Sequence, residues 1–195
     1  MNVHVKNVEG IWFGVACDEK EVFATTFASS KEKALQGLRN SIPFQSEFNQ
    51  SDVASALVEH VITTLKNIFD GKQVSYSFRL AMNHLSNHTQ RVLRATSAIP
   101  LGYVASYGSV AKVTDSSPRG VGRVMALNPF APIVPCHRVV GSDFTLVGYA
   151  GGLAMKKAFL ERERKGFAAE KDVLVNGKKL QVLPVEHILR KLKKG

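Results

Sequence analysis

The stretch "SVAKVTDSSPRGVGRVMAL", residues 109–127, decides the fold of the half of the chain that carries it. Two short helix-like segments, "SVAKV" and "RGVGRVMAL", flank "TDSSP", a break punctuated by proline. Short helices joined by a tight turn suggest helix-turn-helix geometry, in which the second helix faces nucleic acid. Arg119 and Arg123 stand four residues apart and share one face of that helix. Gly120 and Gly122 weaken it, yet would let it come close to a sugar–phosphate wall. A glycine-weakened helix in an ordinary bundle, with two solvated arginines, accounts for the same residues.

Working outward, the chain from about residue 85 reads as short helices broken by Gly and Pro, beginning with "HTQRVLRATSAI" and "PLG" and passing on to "NPFAP". Residues 1–84 have another texture. In "GIWFGVAC" the residues Ile11, Phe13, Val15 and Cys17 share a strand face, "DEKE" supplies a turn and "VFATTF" returns as a hairpin partner. "SSKEKALQGL" opens a helix with Ser29 and Glu32 in capping-box spacing, and Val53, Leu57, Val61, Leu65 and Ile68 form the stripe of another before Gly71. "QVSYSFRL" alternates again, as an edge strand does. The expected organisation is a scaffold domain over 1–84, a second domain over 85–170 and a C-terminal extension over 171–195. In that extension "LVNGKKLQV" has the Asn-Gly signal of a two-residue hairpin and "VEHILRKLKK" forms a basic helix, which either packs on the core or adds phosphate contacts.

Composition sets the frame. A chain of 195 residues with 45% hydrophobic and 22% charged side chains can bury one large core or two small ones, which excludes a disordered protein. No apolar run approaches a membrane span and the N-terminus lacks the apolar core of a signal peptide. Two cysteines far apart fit a reducing compartment, so the expected setting is cytoplasmic, soluble and away from membranes. Against 16 Asp and Glu stand 26 Lys and Arg, and the resulting charge of +10 draws the protein toward a polyanion or simply solvates its surface.

In "VPCHRVV", residues 134–140, a thiol and an imidazole are neighbours. A free thiol with a pKa near about 8.5 is mostly protonated at neutral pH and needs a base to act as a nucleophile. In an extended segment, adjacent side chains point apart, so Cys136 and His137 need a bridging water or a bend after Pro135 to work together. A buried, inert cysteine is the plain alternative.

The ordered blocks "PLGYVASYGSVAK", "PRGVGRVMALNP", "VPCHRVVGS" and "GYAGGLAMKKAFLERE" resemble the methylated-DNA:protein-cysteine methyltransferases, or O6-alkylguanine-DNA alkyltransferases, over roughly residues 87–167. The resemblance implies an α+β (α/β) chain: a small RNase H-like sheet-and-helix domain, matched only by fold-level analogy, then a mostly helical, winged helix-turn-helix-like domain. It implies DNA repair by direct reversal. Cys136 would take the alkyl group of O6-alkylguanine, and of O4-alkylthymine if the pocket admits it, in a single irreversible turnover without a cofactor.

The other roles follow the same resemblance. His137 would accept the thiol proton through water, Glu163 would orient the imidazole, and Tyr107 would donate to the departing guanine oxygen. Arg119 would replace the extruded nucleotide in the stack, with Gly120, Gly122, Arg123 and Ser106 along the minor groove of double-stranded DNA. Asn128, Pro135, Val139, Tyr149, Ala150, Gly151 and Lys156 would build the substrate pocket, with Asn128 fixing backbone and the carbonyls of Cys136 and Val139 accepting from the guanine amino group. Taken alone, Glu163 and Lys156 read as solvated helix residues, Tyr107 as a core or turn residue and Asn128 as a turn. The expected partner is alkylated duplex DNA, met by a monomer.

Two departures stand out. Ala150 occupies a position where many relatives have Ser, and the loop "KVTDSSPRG" is shorter than in some. Where certain relatives bind zinc near the N-terminus, only Cys17 and His4 are available, so no zinc is expected. Two rival functions remain: a binding-only relative, disfavoured by the intact acceptor motif, and a cysteine hydrolase, which explains neither Arg119 nor the helix-turn-helix.

Overall fold

A computed structural model describes residues 1–42, 49–50 and 54–192. It is a mixed α/β structure in which the chain divides into two compact units: Met1–His84 with Asn128–Ile133, and Leu85–Leu127 with Val134–Gly195. Among the described residues no helix is long and apolar enough to cross a membrane.

The first unit is a five-stranded sheet with two helices. Strands β1 (Asn2–Val8), β2 (Ile11–Cys17) and β3 (Glu21–Ala28) form an antiparallel meander, and two-residue strands β4 (Asn49–Gln50) and β5 (Arg79–Leu80) add to its edges in the order β4-β1-β2-β3-β5. The turn expected from "DEKE" is closed by Asp18, whose Oδ1 accepts from the backbone N–H groups of Lys20 and Glu21 at 2.7 Å each. Phe13, Val15 and Cys17 are buried as expected, while Ile11 is half-buried at the strand start. The face of β2 that alternation leaves for solvent is buried too, because helices cover both sides. Helix α1 (Lys31–Ser41) packs Leu38 and Ile42 against Val3, Ala16 and Ala24, and α2 (Ala56–Phe69) sets Phe69 edge-on to Phe13 at 5.8 Å. Gly14 is where α1 comes closest: a Cβ there would lie 2.9 Å from Thr26 Cγ2 and 3.0 Å from Leu38 Cδ1.

Three local expectations change. The cap of α1 is Ser30, one residue beyond the capping-box reading, and its hydroxyl accepts from Lys33 N. On α2, Val61, Leu65 and Ile68 are buried and Leu57 half-buried, while Val53 lies outside the described residues. The edge strand in "QVSYSFRL" shrinks to Arg79–Leu80, because Tyr76 and Phe78 stack on each other at 4.5 Å and Phe78 meets His60 at 5.3 Å instead of alternating along a ladder. Segment Asn128–Ile133, expected with the second domain, belongs to the first unit. The Thr25 N–H donates to Pro129 O at 2.8 Å and its hydroxyl to Ala131 O at 3.0 Å, stapling the segment to β3.

The second unit has the order α3 (Asn87–Ser97), β6 (Tyr103–Ser106), α4 (Tyr107–Val113), α5 (Pro118–Ala126), a 3₁₀ turn (Cys136–Arg138), β7 (Val139–Val140), α6 (Leu153–Arg162), β8 (Lys171–Val175), β9 (Lys178–Pro184) and α7 (Val185–Leu192). The two helices of the opening stretch are α4 and α5. Ser106 caps α4, and Ser117 caps α5 by accepting from Gly120 N at 3.0 Å, with Pro118 in its first turn. Val121, Val124 and Met125 bury one face of α5 while Arg119 and Arg123 stand exposed on the other.

The C-terminal extension is part of this unit. Asn176 and Gly177 take φ of +50° and +77°, as the Asn-Gly turn requires, and close the β8–β9 hairpin. Strand β9 pairs antiparallel with β6 in a sheet of order β7-β6-β9-β8, and Lys178 reaches Asp115 in the turn between α4 and α5 at 2.6 Å. Helix α7 places Val185, Ile188 and Leu189 in one cluster with Val104, Val140 and Leu160. Of the two roles left open for the extension, core packing is the one observed. Replacing the fully buried Ile188 by Ala should therefore cost about 2–5 kcal/mol in denaturant unfolding. His187→Ala on the exposed face should change it by less than about 0.5 kcal/mol. Equal, small effects would make the extension an appendage.

Candidate active site

The acceptor segment is bent at two points. Pro135 sits at φ −81° and ψ 66°, and Cys136 N–H closes back on Val134 O at 2.8 Å, an inverse γ-turn. A 3₁₀ turn follows immediately, with Arg138 N donating to Pro135 O and Val139 N to Cys136 O. The bend that cooperation of thiol and imidazole requires is thus present, and the extended alternative is not the one adopted. Cys136 is 6% exposed and His137 fully buried, and neither cysteine of the chain is in a disulfide.

Glu163, expected on sequence alone to be a surface helix residue, has no exposed side-chain area. It stands at the C-cap of α6, and its Oε1 lies 2.9 Å from His137 Nε2. Arg138 clasps the same carboxylate, Nε at 2.9 Å from Oε2 and Nη2 at 2.8 Å from Oε1, while its Nη1 donates to Ile99 O at 2.7 Å. Burial alone would raise the Glu163 carboxyl, but His137 and Arg138 outweigh it and hold it at about 2. Burial pushes the His137 imidazole down, against the pull of Glu163. A neutral imidazole that donates from Nε2 to a carboxylate carries its lone pair on Nδ1, which is buried and has no hydrogen-bond partner among the described residues. The ring stacks on Phe159, centroids 4.5 Å apart. The arrangement leaves a proton acceptor on the residue that follows the buried cysteine.

Arg138 is the residue that sequence reasoning passed over. It is printed in "PCHR", yet an Arg beside a His reads by default as solvated, and only the fold shows it closing over Glu163.

Tyr107 opens α4 and is half-buried; burial, and then the neighbouring Cys136, push its hydroxyl up. Burial followed by Cys136 and Glu163 does the same to Tyr149, whose buried hydroxyl has no hydrogen-bond partner among the described residues. Lys156 is fully buried, not a solvated helix lysine. Its Nζ donates to Val139 O at 2.6 Å, Val147 O at 2.8 Å and Gly148 O at 3.4 Å, lies 5.9 Å from the Tyr107 ring centre, and is pushed by burial down to about 8. The Cys136 and Val139 carbonyls, both expected at the guanine amino group, accept inside the protein from Val139 N–H and from Lys156 Nζ.

The remaining expected residues separate. Ser106 is buried and its hydroxyl is taken up by the α4 cap and by Ser109. A Cβ on Gly120 would lie 2.8 Å from Ser116 Oγ, so that glycine serves close packing inside the unit, whereas one on Gly122 would meet the Tyr107 ring at an ordinary 3.9 Å. Ala150 and Gly151 are exposed beside Tyr149, with Gly151 so close that a Cβ would meet the ring at 3.1 Å. Asn128 lies in the first unit, where its Oδ1 accepts from Phe130 N at 3.0 Å and fixes the Asn-Pro backbone. Among the described residues no group of three or more His, Cys, Asp or Glu is placed to hold a metal ion.

Fold and site together define a unit of short helices and a small sheet that holds a buried cysteine next to a histidine paired with a carboxylate. The family described as 6-O-methylguanine DNA methyltransferase, DNA binding domain, matches residues 87–165. A methylated-DNA–protein-cysteine methyltransferase of Methanocaldococcus jannaschii is 39% identical over 145 residues, covering 68% of this chain and 84% of that one. The corresponding protein of Pyrobaculum aerophilum is 55% identical over 65 residues, 33% of this chain, and the match spans less than half of that relative, 44%. The crystal structure of Mycobacterium tuberculosis OGT in complex with DNA superposes with a TM-score of 0.68 at 25% identity, covering 84% of this chain and 93% of that one. The chain belongs to the methylated-DNA–protein-cysteine methyltransferase family.

His137 and Glu163 make stability depend on pH in the same direction. Because folding depresses the His137 pKa, the unfolded chain takes up that proton first, and stability begins to fall as pH drops below about 6.5. Glu163 stays ionised in the folded chain down to about 2. An unfolded glutamate protonates near about 4.3, so its contribution, about 3 kcal/mol, is complete above that pH and lost as pH falls through the folded value. Glu163→Gln should abolish the lower window, keep the upper one, and cost about 3–5 kcal/mol near neutral pH by stranding Arg138. Urea unfolding across that pH range reads all three effects.

Proposed function

We propose that the chain repairs DNA by direct reversal, moving the alkyl group of O6-alkylguanine onto Cys136 and restoring guanine. The observation that carries the reading is the buried His137–Glu163 pair directly beside Cys136, with the acceptor nitrogen of His137 unengaged by the described residues. In the proposed step the thiol proton passes through water to His137 Nδ1, and the sulfur forms a bond to the alkyl carbon as the bond from that carbon to guanine O6 breaks. The electron pair stays on guanine, Tyr107 supplies the proton it needs, and His137 returns one to the tyrosine. The net balance moves the thiol proton to guanine and leaves a thioether on Cys136. A thioether carbon is a poor site for hydrolysis, so each molecule acts once. No cofactor enters the balance.

Glu163, kept ionised by Arg138, is proposed to orient the imidazole and balance its charge as it takes up the proton. Tyr149, Pro135, Val139, Lys156, Ala150 and Gly151 are proposed as pocket walls, with Asn128 setting the backbone that leads toward them. Double-stranded DNA is proposed as the partner, met through its minor groove by α5. Arg119 would enter the stack in place of the turned-out nucleotide, because the alkylated oxygen inside a duplex is out of reach of a buried thiol. Arg123 and the start of α5 at Gly120 and Gly122 would follow the backbone, with Ser106 acting through the α4 cap. The exposure of Arg119 and Arg123 opposite the buried face of α5 supports this orientation. In the same reading the first unit is RNase H-like, the second is a winged helix-turn-helix, the division into scaffold, acceptor domain and extension is functional as well as structural, and the protein works as a cytoplasmic monomer.

Intact-protein mass after mixing with a duplex carrying one O6-methylguanine should rise by a single methyl, mapped to Cys136 and absent in Cys136→Ala. Lesion binding without mass change would leave a binding protein only. Arg119→Ala should slow reaction with the duplex at least about tenfold more than reaction with free O6-benzylguanine, since only the duplex demands unstacking, which costs a few kcal/mol. Equal slowing would end its proposed role in extrusion.

A further inference from the structure

The last helix contributes a buried acid that the alkyl-transfer scheme does not use. Glu186 is 8% exposed and sits in the first turn of α7, where the helix N-terminus favours a negative charge. Its Oε1 accepts from the backbone N–H of Lys165 at 3.1 Å and of Gly166 at 2.6 Å, and its Oε2 is buried with no hydrogen-bond partner among the described residues. Those two amides follow Glu163 closely in the chain, at the exit of α6, where Gly166 turns with φ +74°. Strand β6 and α7 meet at the same exit. Val185 N–H donates to Gly102 O at 2.9 Å, and a Cβ on Gly102 would lie 3.3 Å from the Glu163 carbonyl oxygen. Helix α7 is seated in the core through Val185, Ile188 and Leu189, so the carboxylate comes from a rigid element. A carboxylate with one oxygen unpaired is costly to bury, which makes a filler role a poor account of it.

We infer that Glu186 is a positioning residue for alkyl transfer. By fixing the exit of α6 it keeps Glu163 Oε1 at 2.9 Å from His137 Nε2 and 2.8 Å from Arg138 Nη2. The inference rests on the reading of Cys136 as the alkyl acceptor. The charged groups that face His137 are Glu163, Arg138 and Lys156, so a displaced Glu163 leaves the imidazole among cations alone and weakens it as a proton acceptor. The thiol must then ionise unaided, which only a higher pH favours.

The experiment measures benzyl transfer from free O6-benzylguanine to the full chain, by mass, as a function of pH, with melting temperature recorded for each protein. Glu186→Ala should react at least about tenfold more slowly near neutral pH, the scale expected when a reacting group is misplaced, and should regain rate as pH rises. Glu186→Gln keeps an acceptor oxygen for both amides and should restore most of the rate and the wild-type pH profile. Glu186→Asp draws the carboxylate back by one methylene and should resemble Ala, so it replaces Ala if that variant folds poorly. A folded Ala or Asp variant with a lower melting temperature but the wild-type rate and pH profile overturns the inference, leaving Glu186 a structural cap. Wild-type protein that takes neither a benzyl group from the free base at any pH nor a methyl group from a duplex carrying O6-methylguanine overturns instead the reading beneath it, and shows this before any variant is compared.

Discussion

The site depends on one buried carboxylate being fully engaged. Glu163 has left water entirely, and an ion in that position is tolerated only with close partners and satisfied oxygens. Arg138 supplies the compensating charge in a forked contact with both oxygens and carries a further bond to Ile99 O, while His137 takes the remaining direction at Oε1. Three segments far apart in sequence, at residues 99, 136–138 and 163, can meet this demand in one arrangement. The orientation of the imidazole, and with it the nitrogen that faces a proton donor, follows from that arrangement and not from any local preference of the Cys-His dipeptide.

A second ion fixes the wall of the site by a related route. Residues 141–152 contain no helix or strand, so a backbone ladder is not what holds them. Lys156 gathers the carbonyls of Val139, Val147 and Gly148 from α6, and Lys191 reaches the Asp143 carbonyl from α7. A pKa near 8 leaves Lys156 mostly protonated at neutral pH, as three acceptors require. A wall held by a few cation–carbonyl bonds can yield locally to a bulky group, whereas a sheet would have to break a cooperative ladder. The second unit thus combines a rigid cluster, Arg138–Glu163–His137, with a neighbouring segment that is fastened at points.

Legibility in the sequence followed the range of the interactions. Periodicity and cap chemistry act over a few residues, and they placed the hairpin of β2 and β3, the two helices of the helix-turn-helix and the Asn-Gly hairpin. They failed where tertiary packing decided. Both faces of β2 are buried because helices cover both, the "QVSYSFRL" strand was shortened by aromatic stacking, and Asn128–Ile133 was drawn to β3 by Thr25. The same limit applies to the site. Cys136 and His137 were visible as neighbours, and the γ-turn that bends them is local, but the burial of Glu163 and Lys156 and the grip of Arg138 arise from contacts more than ten residues apart. What named Glu163 and Lys156 beforehand was resemblance to a family, and their own residue types read the other way.

Net charge, taken by itself, obscures how the cations are used. The formal excess of +10 counts Arg138 and Lys156 together with Arg119 and Arg123. Arg138 is offset inside the second unit by the Glu163 carboxylate, whereas Lys156 is held by neutral carbonyls and keeps its charge away from the surface. Lys178 is likewise turned toward Asp115. Arg119 and Arg123 stand on the exposed face of α5 and are free of ion pairs among the described residues. Helix α5 therefore presents an uncompensated patch to solvent, while Arg138 is mostly buried and Lys156 fully so. That separation lets salt weaken an encounter with a polyanion through screening without disturbing the buried pairs, because screening acts on exposed charges and hardly reaches those removed from water.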